Sequence, residues 1–239
     1  MVNTASNDVS VIDGSSNSVI DTIPVGTSPE SIEYNQGNGD LYVDVLADEV
    51  NVIDGSSNSL IDTIPVGDSP EVIAYNPDNG NMYVTNFDTG NISVIDNKTN
   101  SVIDTIAVGL GIWGITYNPD NGNMYVARMG SDTVIVIDSS TNSVIDTIPV
   151  GDSPEEIAYN PNNGNMYVTN NMGDTVSVIG EEESNPPSLP EGITNPGNNI
   201  NINVQENTGN NVIEQSGISY SDESIFQSQS TNQNSDVVT

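Results

Sequence analysis

The sequence predicts an all-β fold, a propeller built from four four-stranded repeats of about 42 residues, and three observations point there. First, "VID" stands at Val11, Val52, Val94 and Val136, and a tyrosine of "LYV" or "MYV" stands at Tyr42, Tyr83, Tyr125 and Tyr167. Both series advance by 41, 42 and 42 residues. Second, each repeat divides into four short runs rich in Ile, Val, Tyr and Thr, the residues that fit a pleated, half-buried surface. Third, both faces of these runs carry apolar residues, as sheets packed between neighbours require. Clusters of Gly, Pro and Asn interrupt the chain too often for helices.

One repeat shows the elements in order. Strand A is Glu71 to Asn76, strand B Met82 to Asn86, strand C Asn91 to Asp96, and strand D Ser101 to Val108. "NPDNGN", Asn76 to Asn81, joins A to B, and its Asn-Gly suits a tight hairpin needing positive φ. Its Asp and Asn do not make a calcium loop, because Gly80 falls too early. "GSSNS", Gly55 to Ser59, turns C into D. The aspartates of "VID" (Asp13, Asp54, Asp96 and Asp138) end strand C and read as turn-formers. Strand D carries Pro24, Pro65 and Pro149, with Ala107 in the remaining copy. Proline cannot donate to a ladder, so D belongs at the outer edge, where proline also discourages aggregation.

The four copies, with Tyr83-Val84-Thr85-Asn86, Tyr167-Val168-Thr169-Asn170, "VSVID" and "IPVG", resemble the YVTN-type β-propeller repeat family. The resemblance covers about Val9 to Ile179. Two copies depart from it, as Tyr42-Val43-Asp44-Val45 and Tyr125-Val126-Ala127-Arg128. It implies an archaeal or bacterial surface-layer or secreted protein, located at the cell surface or outside the cell. Related propellers hold haem or quinone-linked redox sites. This chain has no histidine for such chemistry, and the expectation is a non-enzymatic protein.

The chain begins with strands C and D and ends its repeats with A, B and C. The reading favoured is a closed four-bladed ring in which the two ends share a blade. An arc of a larger ring, or two chains forming an eight-bladed homodimer, are the alternatives. Residues 1–180 form the propeller, and 181–239 an acidic, Pro-rich linker with an Asn/Gln/Ser-rich tail. Disorder is expected there, although Ile200, Ile202 and Val204 alternate as in a strand, and Gln205, Asn210 and Gln215 faintly suggest amide ladders.

Charge excludes several functions. Two basic residues, Lys98 and Arg128, face 34 acidic ones, a formal charge of -32. Nucleic acid and anionic membrane surfaces are therefore not expected partners. No apolar run suits membrane insertion, and "MVNTASNDVS" has neither the basic nor the apolar region of a signal peptide. With no cysteine or histidine, a bound metal would need oxygen ligands. Two glycosylation sequons begin at Asn91 and Asn97 and matter if the protein is exported.

The D-to-A and B-to-C loops share one face, and there the copies differ. Where others read "SPE", the third repeat reads Gly111-Ile112-Trp113, and its strand B ends in Arg128-Met129. Trp113, Arg128, Met129 and Ile112 are the candidate binding residues for a protein or glycan partner, since Trp and Arg are enriched in binding hot spots. The alternative has Trp113 filling a gap between blades and Arg128 paired with a carboxylate. Glu30, Glu71 and Glu155 start strand A and could converge at a channel mouth, where calcium would relieve their repulsion. Otherwise they face solvent or accept N–H groups of their own loops. The runner-up function is a calcium- or magnesium-dependent hydrolase or lyase using these carboxylates.

Overall fold

A computed structural model describes residues 1–180, 201–203, 215–219 and 225–229. The chain forms two compact units, Met1–Glu182 and Glu183–Thr239. In the first, the short β-branched runs form five antiparallel sheets in chain order. Sheet 1 holds β1 (Val2–Asn3), β2 (Asp8–Asp13) and β3 (Ser18–Pro24). Sheet 2 holds β4 (Pro29–Tyr34), β5 (Asp40–Val45), β6 (Glu49–Asp54) and β7 (Ser59–Pro65). Sheet 3 holds β8 (Pro70–Tyr75), β9 (Met82–Asn86), β10 (Asn91–Asp96) and β11 (Ser101–Ala107). Sheet 4 holds β12 (Ile112–Asn118), β13 (Asn123–Arg128), β14 (Thr133–Asp138) and β15 (Ser143–Pro149). Sheet 5 holds β16 (Pro154–Tyr159), β17 (Met166–Asn170) and β18 (Thr175–Ile179). A single 3-10 turn at Met129–Ser131 is the one helical element among the described residues.

Successive sheets bury apolar faces against each other. Tyr83, Ile92 and Val94 of sheet 3 pack on Ile115, Met124 and Val126 of sheet 4, and equivalent clusters join the other neighbouring pairs. Each fully buried Val or Ile contributes about 1.5–3 kcal/mol, which no single sheet could collect alone. Strands β4, β8, β12 and β16 lie side by side while the fourth strands barely touch, so the sheets fan outward from their first strands. The fourth strands are exposed except near one isoleucine each, such as Ile64 or Ile106, consistent with proline-ended edges.

The turns use local polar chemistry. Asp54 accepts N–H bonds from Ser56 and Ser57 at 2.9 and 2.7 Å, and Asp13 does the same with Ser15 and Ser16. Hydrogen bonds from the Ser15 and Ser56 hydroxyls, together with these amides, lower Asp13 and Asp54 to about 2. The "NPDNGN" turn is wider than a two-residue hairpin. Asn76 Oδ1 accepts the Asp78 N–H, Gly80 N–H bonds to the Asn76 carbonyl, and only Gly80 needs positive φ, at 79°. Asn79 Nδ2 then donates to Tyr83 Oη at 3.0 Å and to the Ser139 carbonyl of sheet 4 at 3.2 Å. Tyr83 Oη donates to Asn142 Oδ1 at 3.1 Å, so the repeated turn and tyrosine strap one sheet to the next.

The exchange of strands that would close a four-bladed ring is not formed. β3 stays on β2, β1 supplies sheet 1 with a strand in the B position, and sheet 5 ends at its third strand. Local hairpin pairing across the Asp13 turn holds β3 in place. In the second unit, β19 (Asn201–Asn203), β20 (Gln215–Ser219) and β21 (Ile225–Gln229) form an antiparallel sheet in that order. The linker at 181–192, Ile200, Val204, Gln205 and Asn210 lie outside the described residues.

Candidate functional site

The loop end of the first strands is built on a recurrent backbone irregularity. In sheets 2 to 5 the register shifts after Pro29, Pro70, Ile112 and Pro154. Such bulges re-aim side chains and leave N–H groups unpaired. Glu30, Glu71, Trp113 and Glu155 are the residues that follow, and they occupy equivalent positions.

The side chain opposite each bulge satisfies it. In sheet 3 Thr85 Oγ1 accepts the Val72 N–H at 3.2 Å and donates to the Trp113 carbonyl at 2.7 Å. In sheet 5 Thr169 Oγ1 accepts the Glu156 N–H at 3.1 Å. This gives the threonine of "YVTN" its role. The asparagine that follows, Asn86, bonds Asn91 and Ser93, with Gly67 packed on its amide.

Sheet 2 does this with a carboxyl group. Asp44 Oδ1 accepts the N–H groups of both Glu30 and Ser31. The residue is fully buried, and Oδ2 has no partner. Burial pushes the Asp44 carboxyl up to about 8, against the lowering effect of the two N–H bonds, with the charges of Glu30 and Glu71 adding to the rise. Glu71 is raised to about 7, first by burial and then by its contact with Glu30. Its Oε2 is also buried without a partner. Asp44, Glu30 and Glu71 thus group three carboxyls between sheets 2 and 3, and burial raises Asp44 and Glu71.

The same loop end of the neighbouring first strand, β12, carries one ring of an aromatic pair. Phe87 and Trp113 meet edge to face, with centroids 5.8 Å apart and planes at 80°. Both are half-buried. Arg128 Nε donates to the Leu110 carbonyl at 3.4 Å, and its guanidinium lies over Gly109, whose φ is 90°. Its partner is therefore main chain rather than the carboxylate that the sequence reading offered as an alternative. Met129 N–H bonds the Gly111 carbonyl at 2.8 Å and closes the same end of sheet 4.

Trp113, Arg128 and Met129 share one end of the fold. Ile112 does not present itself there: it pairs with Arg128 in the ladder and is fully buried between sheets 3 and 4. Glu30 and Glu71 approach each other, but Glu155 instead accepts from Asn171 Nδ2. Among the described residues no group of three or more acidic side chains could hold a metal ion, so the calcium set Glu30, Glu71 and Glu155 is not assembled. Where Glu30 and Glu71 meet, burial and the contact with Glu30 raise the Glu71 carboxyl. Asp44 and Phe87 are the residues the sequence reading passed over. The signal for Asp44 was present, as an aspartate where other copies carry threonine or alanine.

No family model matches the chain, and no curated protein matches it. Solved structures do. Hydrazine synthase of Kuenenia stuttgartiensis is similar with a TM-score of 0.66 at 20% identity, over 95% of this chain and 60% of that one. The dihydro-heme d1 dehydrogenase NirN in complex with DHE gives 0.64 at 14%, over 74% and 40%. A catalytically inactive virginiamycin B lyase from Staphylococcus aureus with quinupristin gives 0.65 at 14%, over 75% and 61%. This chain thus spans 60% of the first and less than two thirds of the others. At these identities the likeness shows the propeller fold. It also corrects the expectation of a non-enzymatic protein: three structures of this fold are, by name, a synthase, a dehydrogenase and a lyase. Absence of histidine does not decide the question, because function sits in loops grafted on a shared scaffold and carboxyl groups also move protons.

Proposed function

We propose that this protein is a ligand-binding propeller of the cell surface or exterior, and that it holds a glycan on the loop end of its first strands. The observation that carries this reading is the Phe87–Trp113 pair at the loop end of the first strands, with Trp113 and Glu71 at equivalent bulge positions of the neighbouring strands β12 and β8. An aromatic edge gives apolar contact to the C–H face of a sugar. The raised Glu71 carboxyl both donates and accepts hydrogen bonds with its hydroxyls. The resemblance to YVTN-type surface-layer propellers supports an exterior location, and an excess of 32 negative charges favours neutral or cationic ligands over anionic ones.

Calorimetric titration with neutral oligosaccharides tests this. Trp113→Ala and Phe87→Ala are each expected to weaken binding by about thirtyfold, the scale of an aromatic hot spot. Binding unchanged in both variants would remove the site.

A second reading is favoured by Glu71. A carboxyl raised to about 7 beside the buried Asp44 suits proton transfer to or from a bound ligand. In that reading Glu71→Gln abolishes turnover and leaves sugar affinity within about twofold, since the amide keeps the shape of the group. Turnover retained in Glu71→Gln would exclude it.

A further inference from the structure

We propose that copies of this chain associate head to tail, sheet 5 of one against sheet 1 of the next, repeating the interface that joins successive sheets within the protein.

The two end sheets expose the two halves of that interface. "MYVTN" occurs in both β9 and β17 with identical residues. In β9, Tyr83 and Thr85 are fully buried under sheet 4. In β17, Tyr167 is half-buried and Thr169 exposed. On the neighbouring strand, Ile92 and Val94 are fully buried, whereas their counterparts Val176 and Val178 are 57% and 54% exposed. Among the described residues, sheet 5 therefore shows an uncovered forward face.

Sheet 1 shows the matching backward face. Ile53 and Ile95 are fully buried against the preceding sheet, while their counterpart Ile12 is 48% exposed. Met1 stands where Val43 and Val84 are buried, and it too is exposed.

A polar key accompanies the apolar match. Tyr42 Oη donates to Asn100 Oδ1 of the next sheet at 2.8 Å, and Tyr83 Oη to Asn142 Oδ1 at 3.1 Å. Asn100 and Asn142 hold φ of 49° and 52° at the end of their turns. Tyr167 has the donor, and its only described partner is Asn163 of its own turn. Asn17 of sheet 1 has the acceptor in the same turn, with φ 53°. A second copy brings Tyr167 to Asn17 as part of the same packing that buries Val176, Val178 and Ile12. The occupant follows from continuity: the surface is one that this chain already covers with its own next sheet. Such an interface is heterologous, with different patches on the two partners. Like charge opposes it, so salt should strengthen it.

Sedimentation equilibrium of the full chain at about 1 M salt, where the screening length is about 3 Å, tests the proposal. The parent should exceed the monomer mass of 25.2 kDa with rising concentration. Val178→Asp and Ile12→Asp alter exposed positions, and each alone should sediment as a monomer. An equimolar mixture should give a dimer and nothing larger, because one variant keeps the sheet 1 face and the other the sheet 5 face. That rescue also shows that both variants are folded. Tyr167→Phe should weaken association about fivefold, the worth of one hydrogen bond. A parent monomeric at every concentration, association indifferent to both aspartates, or a mixture that stays monomeric would each overturn the proposal.

Discussion

Asp44→Thr should raise stability, and by an amount that depends on pH. The folded chain keeps a proton on Asp44 up to about 8, whereas the unfolded chain releases it near the ordinary aspartate value of 3.8. Between those values the folded state binds more protons, so stability falls as pH rises through the window. A tenfold difference in proton affinity is worth about 1.4 kcal/mol, so the span from 3.8 to about 8 gives at most about 6 kcal/mol across the whole range. That is a large part of the roughly 5–15 kcal/mol by which domains are stable. Threonine removes the titrating group and keeps an acceptor for the bulge, as Thr85 does for Val72 at 3.2 Å and Thr169 for Glu156 at 3.1 Å. Glu71, raised to about 7, pulls in the same direction but is present in both proteins, so the difference between them isolates Asp44. Urea unfolding followed by circular dichroism and Trp113 fluorescence measures it. The variant's advantage should be near zero at about pH 4 and grow to about 5 kcal/mol by about pH 9, a midpoint shift of about 2 M. A difference that stays constant with pH, or a variant less stable than the parent at high pH, would refute the argument that a buried carboxyl replaces threonine here.

Two further outcomes follow from the turns and straps. Tyr83→Phe leaves Asn142 Oδ1 without its donor and Asn79 Nδ2 with the Ser139 carbonyl alone, and should cost about 1–2 kcal/mol, whereas Tyr167→Phe in the monomer should cost less than about 0.5 kcal/mol; paired thermal melts in dilute protein compare them, and equal losses would contradict the strapping role. Asp54→Ala should lower the melting temperature at about pH 5, because the aspartate accepts three bonds from Ser56 and Ser57. The lowered carboxyl contributes stability above its ordinary value near 3.8, and this is lost as pH falls through about 2, so parent and variant should converge in strong acid.

Much of this fold was legible in the repeat. Four aspartates ending the third strands and three prolines at the outer edges each report a short-range requirement met inside one hairpin or turn, while the tyrosines at a constant step mark the strap from one sheet to the next. The site was legible only in part. Trp113 and Arg128 stood out as departures from the repeat, and they do share one end. Ile112 departed from it as well, yet lies in the core, since one strand end offers alternate residues to the ladder, the interior and solvent. Asp44 gave its signal in a single letter, but its meaning depends on the Glu30 and Ser31 amides and on the charge of Glu71 in the next sheet.

The amino-acid order by itself determined where each strand begins, how each turn closes and which side chains point forward or backward, because those are matters of neighbouring φ angles, alternation and hydrogen bonds a few residues long. Only the tertiary structure decided what is covered. Identical pentapeptides at Met82–Asn86 and Met166–Asn170 differ in burial because, among the described residues, sheet 4 packs over the first and nothing packs in the same way over the second. Burial, and with it the raised carboxyl of Asp44 and the uncovered end faces, belongs to the partner surface supplied by chain about 42 residues away.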